Sequence, residues 1–589
     1  MIVDESDELS DGVDDPVNDG AGATAEIAAT DPPPVVVRKR SFLWSIFPAL
    51  TAGFAVRLLF ALMDRVPSVD ETAYLGSGLS LFKGDGFARG GSAELHFPPL
   101  IPSLLGAVAK LTGDAHRATV VVTLIAGTVL LIPLAGIVRR LAGDRAAVYA
   151  AWAGALGYGL SVEVTTRGGG SEAPYALLIL SGLWAAVSIR PGWSRRNARL
   201  ALGVGCAVGL AYLARPEGLW FGVVLGAVSV TGVAGGWREV LGRVSRRPVV
   251  AIGLIIVVTV AAFAAPYVVY LHEQTDGWEL TAKTQDASIA AWRAVAEGDR
   301  RARDEVLYGL DARGREFTAG RYPLSQLVRE DPSGYLGIVG VNARQALRQL
   351  FLWRLIPTPM VLLALWVLWR RRRERTALSI AALCCVPLAT VLAFFALPRY
   401  LVVTTALLYG LAGVGIAALR PPWRRLGVIA AAAMLIITTI AGMFGPDGFW
   451  HPREPVEQRR AGEWIAENTK DDDRIMTRSQ VVAFYAERRP VALPYTDPDT
   501  MLQFARRFGA RYLVADEFIL WEWRPQLRYL FADGPWPGLR LVYETHAQGR
   551  ALRIFALDPP PDRVSDDDHL PTLAHAGDGS PNGPHANDK

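Results

Sequence analysis

Only three of the 589 residues are cysteines, and all three (Cys206, Cys384 and Cys385) lie inside apolar stretches. That leaves neither a disulfide framework nor a thiolate metal site to build on. Basic residues are missing from positions 1–37, which carry ten acids and a Pro32-Pro33-Pro34 run. Such a segment cannot bury enough apolar surface to fold and reads as a disordered tail. A cleavable signal peptide is not expected either, because the first apolar run begins only after Arg38-Lys39-Arg40. The net charge of +4 is too small to imply any partner, and what excludes a purely soluble enzyme or a nucleic-acid-binding protein, despite a pI near 8.9, is the run of apolar stretches. Charge is scarcest in eleven stretches of roughly 16–23 residues, close to the length of about 20 that a bilayer core demands. With 51% apolar residues and a mean hydropathy of +0.23, the chain reads as a membrane protein.

The candidate spans fall at roughly 42–63, 118–138, 146–162, 173–189, 200–214, 218–236, 249–271, 352–369, 376–397, 400–419 and 426–445. Lys and Arg set their direction, since cytoplasmic connections carry the basic excess. Six stretches (38–40, 139–145, 190–199, 238–247, 370–375 and 420–425) hold 22 Lys and Arg against Asp144, Glu239 and Glu374. The three short connections that alternate with them hold only Arg167, Arg215 and Arg399. An inside N-terminus therefore puts every basic stretch inside and the C-terminus outside. Residues 99–112 are apolar but short and interrupted by Pro102 and Lys110, so they read as a re-entrant or interfacial helix.

The expected architecture is an α-helical polytopic protein of about eleven transmembrane helices in the cytoplasmic membrane. An acidic cytoplasmic tail (1–40) precedes a membrane domain (41–447) with outer loops at 64–117 and 272–351. A small extracytoplasmic α/β domain (448–558) and a disordered tail (559–589) follow. The α/β expectation rests on strand-like runs at 511–515, 541–543 and 552–555, alternating with helix-patterned stretches at 454–468 and 499–508. His569, His575 and His585 in the last tail have no ligand spacing.

Asp70 and Glu71 stand a few residues after the first span ends. Neighbouring acids on a helix diverge by about 100°, so one can act as a general base while the other orients an arginine or holds a cation. Acids also simply favour a first helical turn. His96-Phe97-Pro98-Pro99 follows, with His96 expected at the water–membrane boundary. Gly168-Gly169-Gly170-Ser171-Glu172 sets another acid at the outer face, beside glycines that allow a sharp turn or a close approach. Arg215 and Arg399 each end a span beside a proline, on the side that lacks positive charge. A planar guanidinium suits a phosphate, and snorkelling to lipid headgroups is the plainer alternative. Lys283 and His272 are of the same kind, and Arg57 within the first span needs a partner or a wet cavity.

Taken in order, Asp70-Glu71-Thr72-Ala73-Tyr74, His96-Phe97-Pro98-Pro99, Glu172, Arg215-Pro216-Glu217 and Arg399-Tyr400 resemble the motif series of the polytopic GT-C glycosyltransferases. The resemblance is to the branch of protein O-mannosyltransferases and of aminoarabinose and lipopolysaccharide-core sugar transferases. It covers roughly residues 42–560, including Gly509-Ala510-Arg511-Tyr512-Leu513-Val514. It implies a GT-C fold and inverting transfer of one sugar from a polyprenyl-phosphate donor to a lipid, glycan or protein acceptor on the non-cytoplasmic side. By the resemblance, Asp70 is the base and Glu71 its support or a cation ligand. Glu172 and His96 go to the acceptor or a cation, and Arg399, Lys283, Arg215 and Tyr400 to the donor phosphate. A divalent cation is the one cofactor left open, because family members differ over it. The chemistry agrees: a leaving phosphate needs Arg, Lys or a metal ion, and an acceptor hydroxyl needs a base opposite it.

Three other classes share parts of this pattern. A lipid or sugar transporter would show inverted repeats and mid-membrane charges, and no internal repeat is found. A polymerase or ligase acting on a lipid-linked glycan would have its large outer loop late and lack the early acidic pair. A non-catalytic scaffold would present the C-terminal domain, which holds no nucleophile triad, phosphate loop or metal cluster and is expected to cover the site or recruit the acceptor.

Overall fold

The structure, a computed structural model, describes residues 41–62, 65–163, 169–236, 246–285, 291–318, 323–351, 355–394, 396–444 and 454–561. The predicted tails lie outside these residues apart from 559–561, as do Arg167, Gly168 and most of the basic stretch at 238–247.

A helix occupies each of the eleven predicted stretches. Helix α1 (Phe42–Ala61) leads to two short helices, α2 (Val69–Lys83) and α3 (Leu100–Thr112), and between those two lies a small hairpin of β1 (Ala88–Arg89) and β2 (Ser92–Ala93). Next come α4 (Ala115–Val129), α5 (Leu131–Leu156), α6 (Glu172–Val187), α7 (Arg195–Ala214), α8 (Gly218–Ala234) and α9 (Arg246–Thr275). Helix α5 is two helices joined at Gly143, whose φ of 82° a residue with a Cβ rarely adopts. The basic stretch at 139–145 is therefore a turn, with Arg139 paired to Asp144 across it.

By length and composition, seven of the described helical segments can cross a bilayer: Phe42–Ala61, Ala115–Leu156, Arg195–Ala214, Arg247–Thr275, Arg375–Ala393, Pro398–Ala418 and Pro421–Phe444. Shorter apolar helices cover Leu100–Thr112, Glu172–Val187, Gly218–Ala234 and Thr358–Arg370. The chain is thus a multi-pass membrane protein.

The expected loop at 272–351 is largely helical. It holds α10 (Trp292–Glu297), α11 (Arg300–Tyr308), α12 (Leu324–Glu330) and the 20-residue α13 (Pro332–Phe351). Arg344 and Arg348 keep α13 from looking like a span, and its polar side chains cap the end of a neighbour. Asn342 Nδ2 donates to the carbonyls of Leu392 (3.2 Å) and Phe394 (3.0 Å), and Gln349 Nε2 to that of Ala396 (2.9 Å). Helices α14 (Thr358–Arg370), α15 (Arg375–Ala393), α16 (Val402–Ala418) and α17 (Pro421–Phe444) complete the bundle.

Helix α16 is its centre, with residues 402–416 buried without a break. Its Gly410 and Gly413 meet Leu134 and Ala150 of α5. This is the small-residue packing that membrane helices use where lipid removes the hydrophobic drive between them.

The basic turns at 139–145, 190–199 and 370–375 gather at one end of the bundle. Arg371 donates to the carbonyl of Leu141 (2.7 Å), and Arg375 to those of Ile189 (3.0 Å) and Val228 (2.6 Å). Helix α6, about 24 Å long at 1.5 Å per residue, runs from there to Glu172 at the other end.

Residues 454–561 form a five-stranded mixed sheet in the order β4-β3-β5-β7-β6, from β3 (Arg474–Thr477), β4 (Arg489–Ala492), β5 (Ala510–Asp516), β6 (Leu539–Ala547) and β7 (Arg550–Leu557). Strands β4, β3 and β5 are parallel, and β7 and β6 add on antiparallel. Alternate residues feed opposite faces, as the strand period requires. Met476, Leu513 and Phe555 pack with α20 (Pro498–Arg507) and α21 (Glu517–Trp523), while Ile475, Val514 and Ile554 pack with α18 (Val456–Asn468) and α19 (Gln480–Ala486).

Two segments from the bundle join this sheet. The second-loop residue Asp304 pairs with Arg478 (3.0 Å) and Arg524 (2.7 Å). In the first loop, the amide of Val66 donates to Glu454 (2.8 Å).

Candidate active site

The start of α2 decides where its two acids point. Ser68 caps the helix: its hydroxyl accepts the Glu71 amide (3.4 Å) while the Glu71 carboxylate accepts the Ser68 amide (3.3 Å). This reciprocal box takes Glu71 to the helix end. Asp70, about 100° round the helix, turns into the bundle.

Asp70 is buried and pairs with Nη1 of Arg399, which sits on the tight turn Pro398–Leu401 that begins the central helix. Nε of Arg399 lies 4.0 Å from Oε1 of Glu172, the first residue of α6. That same oxygen takes Nη1 of Arg215 at 3.3 Å, and Nη2 of Arg215 lies 3.5 Å from Glu217. Asp70, Arg399, Glu172, Arg215 and Glu217 thus form a chain of alternating charge drawn from distant segments. Tyr400 lies beside it, its ring 4.8 Å from the Arg215 guanidinium and 5.3 Å from that of Arg399.

Three further features tighten the site. A Cβ on Gly169 would stand 2.8 Å from Asp70 Cβ and 3.3 Å from Arg399 Nη1, so the glycine backbone lies directly against the pair. Tyr74, one turn after Asp70, is hydrogen-bonded to Ser171, and burial together with the Asp70 charge holds its phenol well above the ordinary range. Burial opposes ionisation of Glu217, but the charges of Arg215 and Lys283 outweigh it and hold its carboxyl below the usual value. Oε2 of Glu172 and Oε2 of Glu217 are buried with no hydrogen-bond partner among the described residues. Buried polar atoms are normally satisfied, so both are open acceptor positions inside the cluster.

Residues 96–263 match the family model described as dolichyl-phosphate-mannose-protein mannosyltransferase. In fold the chain is similar to ArnT from Cupriavidus metallidurans bound to undecaprenyl phosphate, at 14% identity and a TM-score of 0.53, over 87% of this chain and 98% of that one. The family match covers residues 96–263, and the likeness to ArnT shows the fold. The chain is likewise similar to the archaeal oligosaccharyltransferase AglB from Archaeoglobus fulgidus in complex with an inhibitory peptide and a dolichol-phosphate. There the identity is 13% and the TM-score 0.51, over 91% of this chain and 75% of that one. A third likeness is to the Archaeoglobus fulgidus oligosaccharyltransferase in complex with Zn and sulfate, at 15% identity and a TM-score of 0.51, over 81% and 68% of the two chains. No curated protein matches the chain in sequence.

The structure brings together Asp70, Glu172, Arg215, Arg399 and Tyr400. Glu71 stands apart from them. Its carboxylate takes Arg65 at 3.0 Å and lies 3.9 Å from Nδ1 of His116. The His96 ring lies edge-on to Phe97 at 4.6 Å. The Lys283 ammonium lies 5.0 Å from the other partner of that segment, the Phe97 ring.

Among the described residues no group of three His, Cys, Asp or Glu is arranged to hold a metal ion, and each acid of the cluster is matched to an arginine. Tyr74, Tyr175, whose ring lies 5.7 Å from the Arg215 guanidinium, and Glu217 are cluster members to which the sequence reading gave no role. Helical spacing is the signal that finds the tyrosines, four residues after Asp70 and three after Glu172.

Proposed function

We propose that this protein transfers a sugar from a polyprenyl-phosphate donor to an acceptor hydroxyl, with inversion, at the non-cytoplasmic face of the membrane. The observation that carries this reading is Arg399, held between Asp70 and Glu172 where the central helix begins. A guanidinium so placed can exchange a carboxylate for a phosphate at little cost in geometry, since both fit its fork. When the donor phosphate takes Arg399, Asp70 is released to accept the proton of the acceptor hydroxyl. The deprotonating oxygen attacks the anomeric carbon on the face opposite the phosphate. The bond from that carbon to the phosphate oxygen breaks, and polyprenyl phosphate leaves with its new negative charge met by Arg399, Arg215 and Lys283. One displacement inverts the anomeric centre.

The unpartnered oxygens of Glu172 and Glu217 suit sugar or acceptor hydroxyls, and Tyr400 steers the two arginines from the side. Glu71 supports the start of α2 and His96 borders the site. The undecaprenyl phosphate and dolichol-phosphate held by two fold neighbours support a lipid phosphate as the donor's carrier. The test is release of polyprenyl phosphate from a panel of polyprenyl-phosphate sugars. Asp70→Asn should lose at least about 100-fold in turnover, the usual worth of a general base, while still binding undecaprenyl phosphate, and Glu71→Gln should lose far less. Wild-type turnover in Asp70→Asn would put the base elsewhere.

A further inference from the structure

We propose that Glu94 is a positioning residue for the donor phosphate, acting through Phe97 on Lys283. The inference rests on reading Lys283 as a donor-phosphate residue. Glu94 is 1% exposed, and both of its carboxylate oxygens are occupied. Oε1 accepts the amides of His96 (2.8 Å) and Phe97 (3.1 Å), while Oε2 accepts the Ser77 hydroxyl (2.9 Å) and is ion-paired with Nε of Arg89 (2.8 Å). Its carbonyl accepts the hydroxyl of Tyr270 from α9 (3.1 Å). An acid this deeply buried is normally fully paired, and here the pairing pins the segment that turns into Pro98-Pro99.

What that segment carries inward is the Phe97 ring. The ring is buried, 4.4 Å from the Tyr74 ring, 5.5 Å from the Arg89 guanidinium and 5.0 Å from the Lys283 ammonium. Arg89 is matched by Glu94. Lys283 has no carboxylate within 4.0 Å among the described residues, so the ring face is its seat. A cation held by a carboxylate is neutralised, whereas one held by a ring keeps its charge for an anion that arrives later. The Lys283 charge already acts on Glu217, which puts it at the edge of the cluster. Glu94 therefore sets Phe97, and Phe97 sets both Tyr74 beside Asp70 and the cation that meets the phosphate.

Binding of undecaprenyl phosphate to the full-length protein in detergent tests this, with thermal unfolding measured alongside. Lys283→Met should weaken binding about five- to thirtyfold, the worth of one charge held by a ring at a half-buried site. Glu94→Gln should weaken it severalfold, and the double variant should bind no worse than Lys283→Met, because no cation is left to position. Phe97→Leu should match Glu94→Gln, whereas Phe97→Tyr, which keeps the ring face, should bind like wild type. If Glu94→Gln does not fold, the two Phe97 variants carry the same comparison. Additive losses in the double variant, or equal binding by Phe97→Leu and Phe97→Tyr, would overturn the positioning role. Wild-type binding by Lys283→Met is a different failure, that of the donor-phosphate reading itself.

Discussion

Replacing Arg399 by lysine keeps the charge beside Asp70 and removes the planar fork. Alanine would instead take a paired cation away from buried carboxylates, and the folding cost of about 3–5 kcal/mol would obscure the chemistry. Arg399→Lys should therefore unfold near the wild-type temperature yet lose tens-fold in kcat/KM for the lipid donor, because a point charge cannot span Asp70, Glu172 and a phosphate together. Gly169→Ala isolates the neighbouring contact. Its methyl group would stand 2.8 Å from Asp70 Cβ, so the Asp70–Arg399 pair must shift. Overpacking of this kind costs about 1–3 kcal/mol, and turnover should fall at least tenfold if the pair is the reacting centre. The identity of these residues was legible in the sequence, because acids and arginines at span ends depart from the usual charge pattern. Their pairing was not, since residues so far apart along the chain share no local period.

Elements were legible in proportion to their length and the clarity of their period. Strands β5 and β7 carry apolar runs long enough to read as strands, while β3 and β4, four residues each and both opening on arginine, carry too little pattern to be read. Helix α13 was lost for the opposite reason, a polar helix inside an expected loop. The junction of α18 with β5 makes a separate prediction. Burial pushes Glu457 up to about 7 from 4.5, and Asp516 at the end of β5 up to about 6 from 3.8. Between them, Gln458 donates to Asp516 at 2.5 Å and accepts the Ser479 hydroxyl at 2.7 Å. Both pKa values are raised by folding, so the associated stability is fully present below pH 4 and is lost as pH climbs through about 6 and 7. For Glu457 the loss is on the order of 2–3 kcal/mol. In thermal unfolding, Glu457→Gln should gain on the wild type steadily from pH 5 to pH 8. A constant difference across that range would mean the carboxyl titrates normally.

At the scale of the whole molecule, one measurement decides the sidedness of everything above. The bundle has two chemically different ends: Arg371 and Arg375 bind the carbonyls of Leu141 and Ile189, in or beside two other basic turns, at one, and the Asp70 cluster occupies the other. Residues 454–561 belong with the second end. Glu454 takes the amide of Val66, Lys83 of α2 lies 3.5 Å from Glu487, and a Cβ on Gly90 of the β1–β2 turn would touch Pro490. If the basic end is cytoplasmic, as the bias of Lys and Arg requires, the cluster and the sheet both face away from the cytoplasm. That is the face on which a polyprenyl-phosphate sugar would be used under the proposed function. An enzyme reporter that works only after export should be active when fused after residue 450 and inactive when fused within 370–375. Each fusion controls the other, because an even number of crossings between the two points would give both the same result. Activity only at 370–375 would turn the bundle over. It would move Asp70 and Arg399 to the cytoplasmic face and leave the donor reading without its substrate on the right side of the membrane.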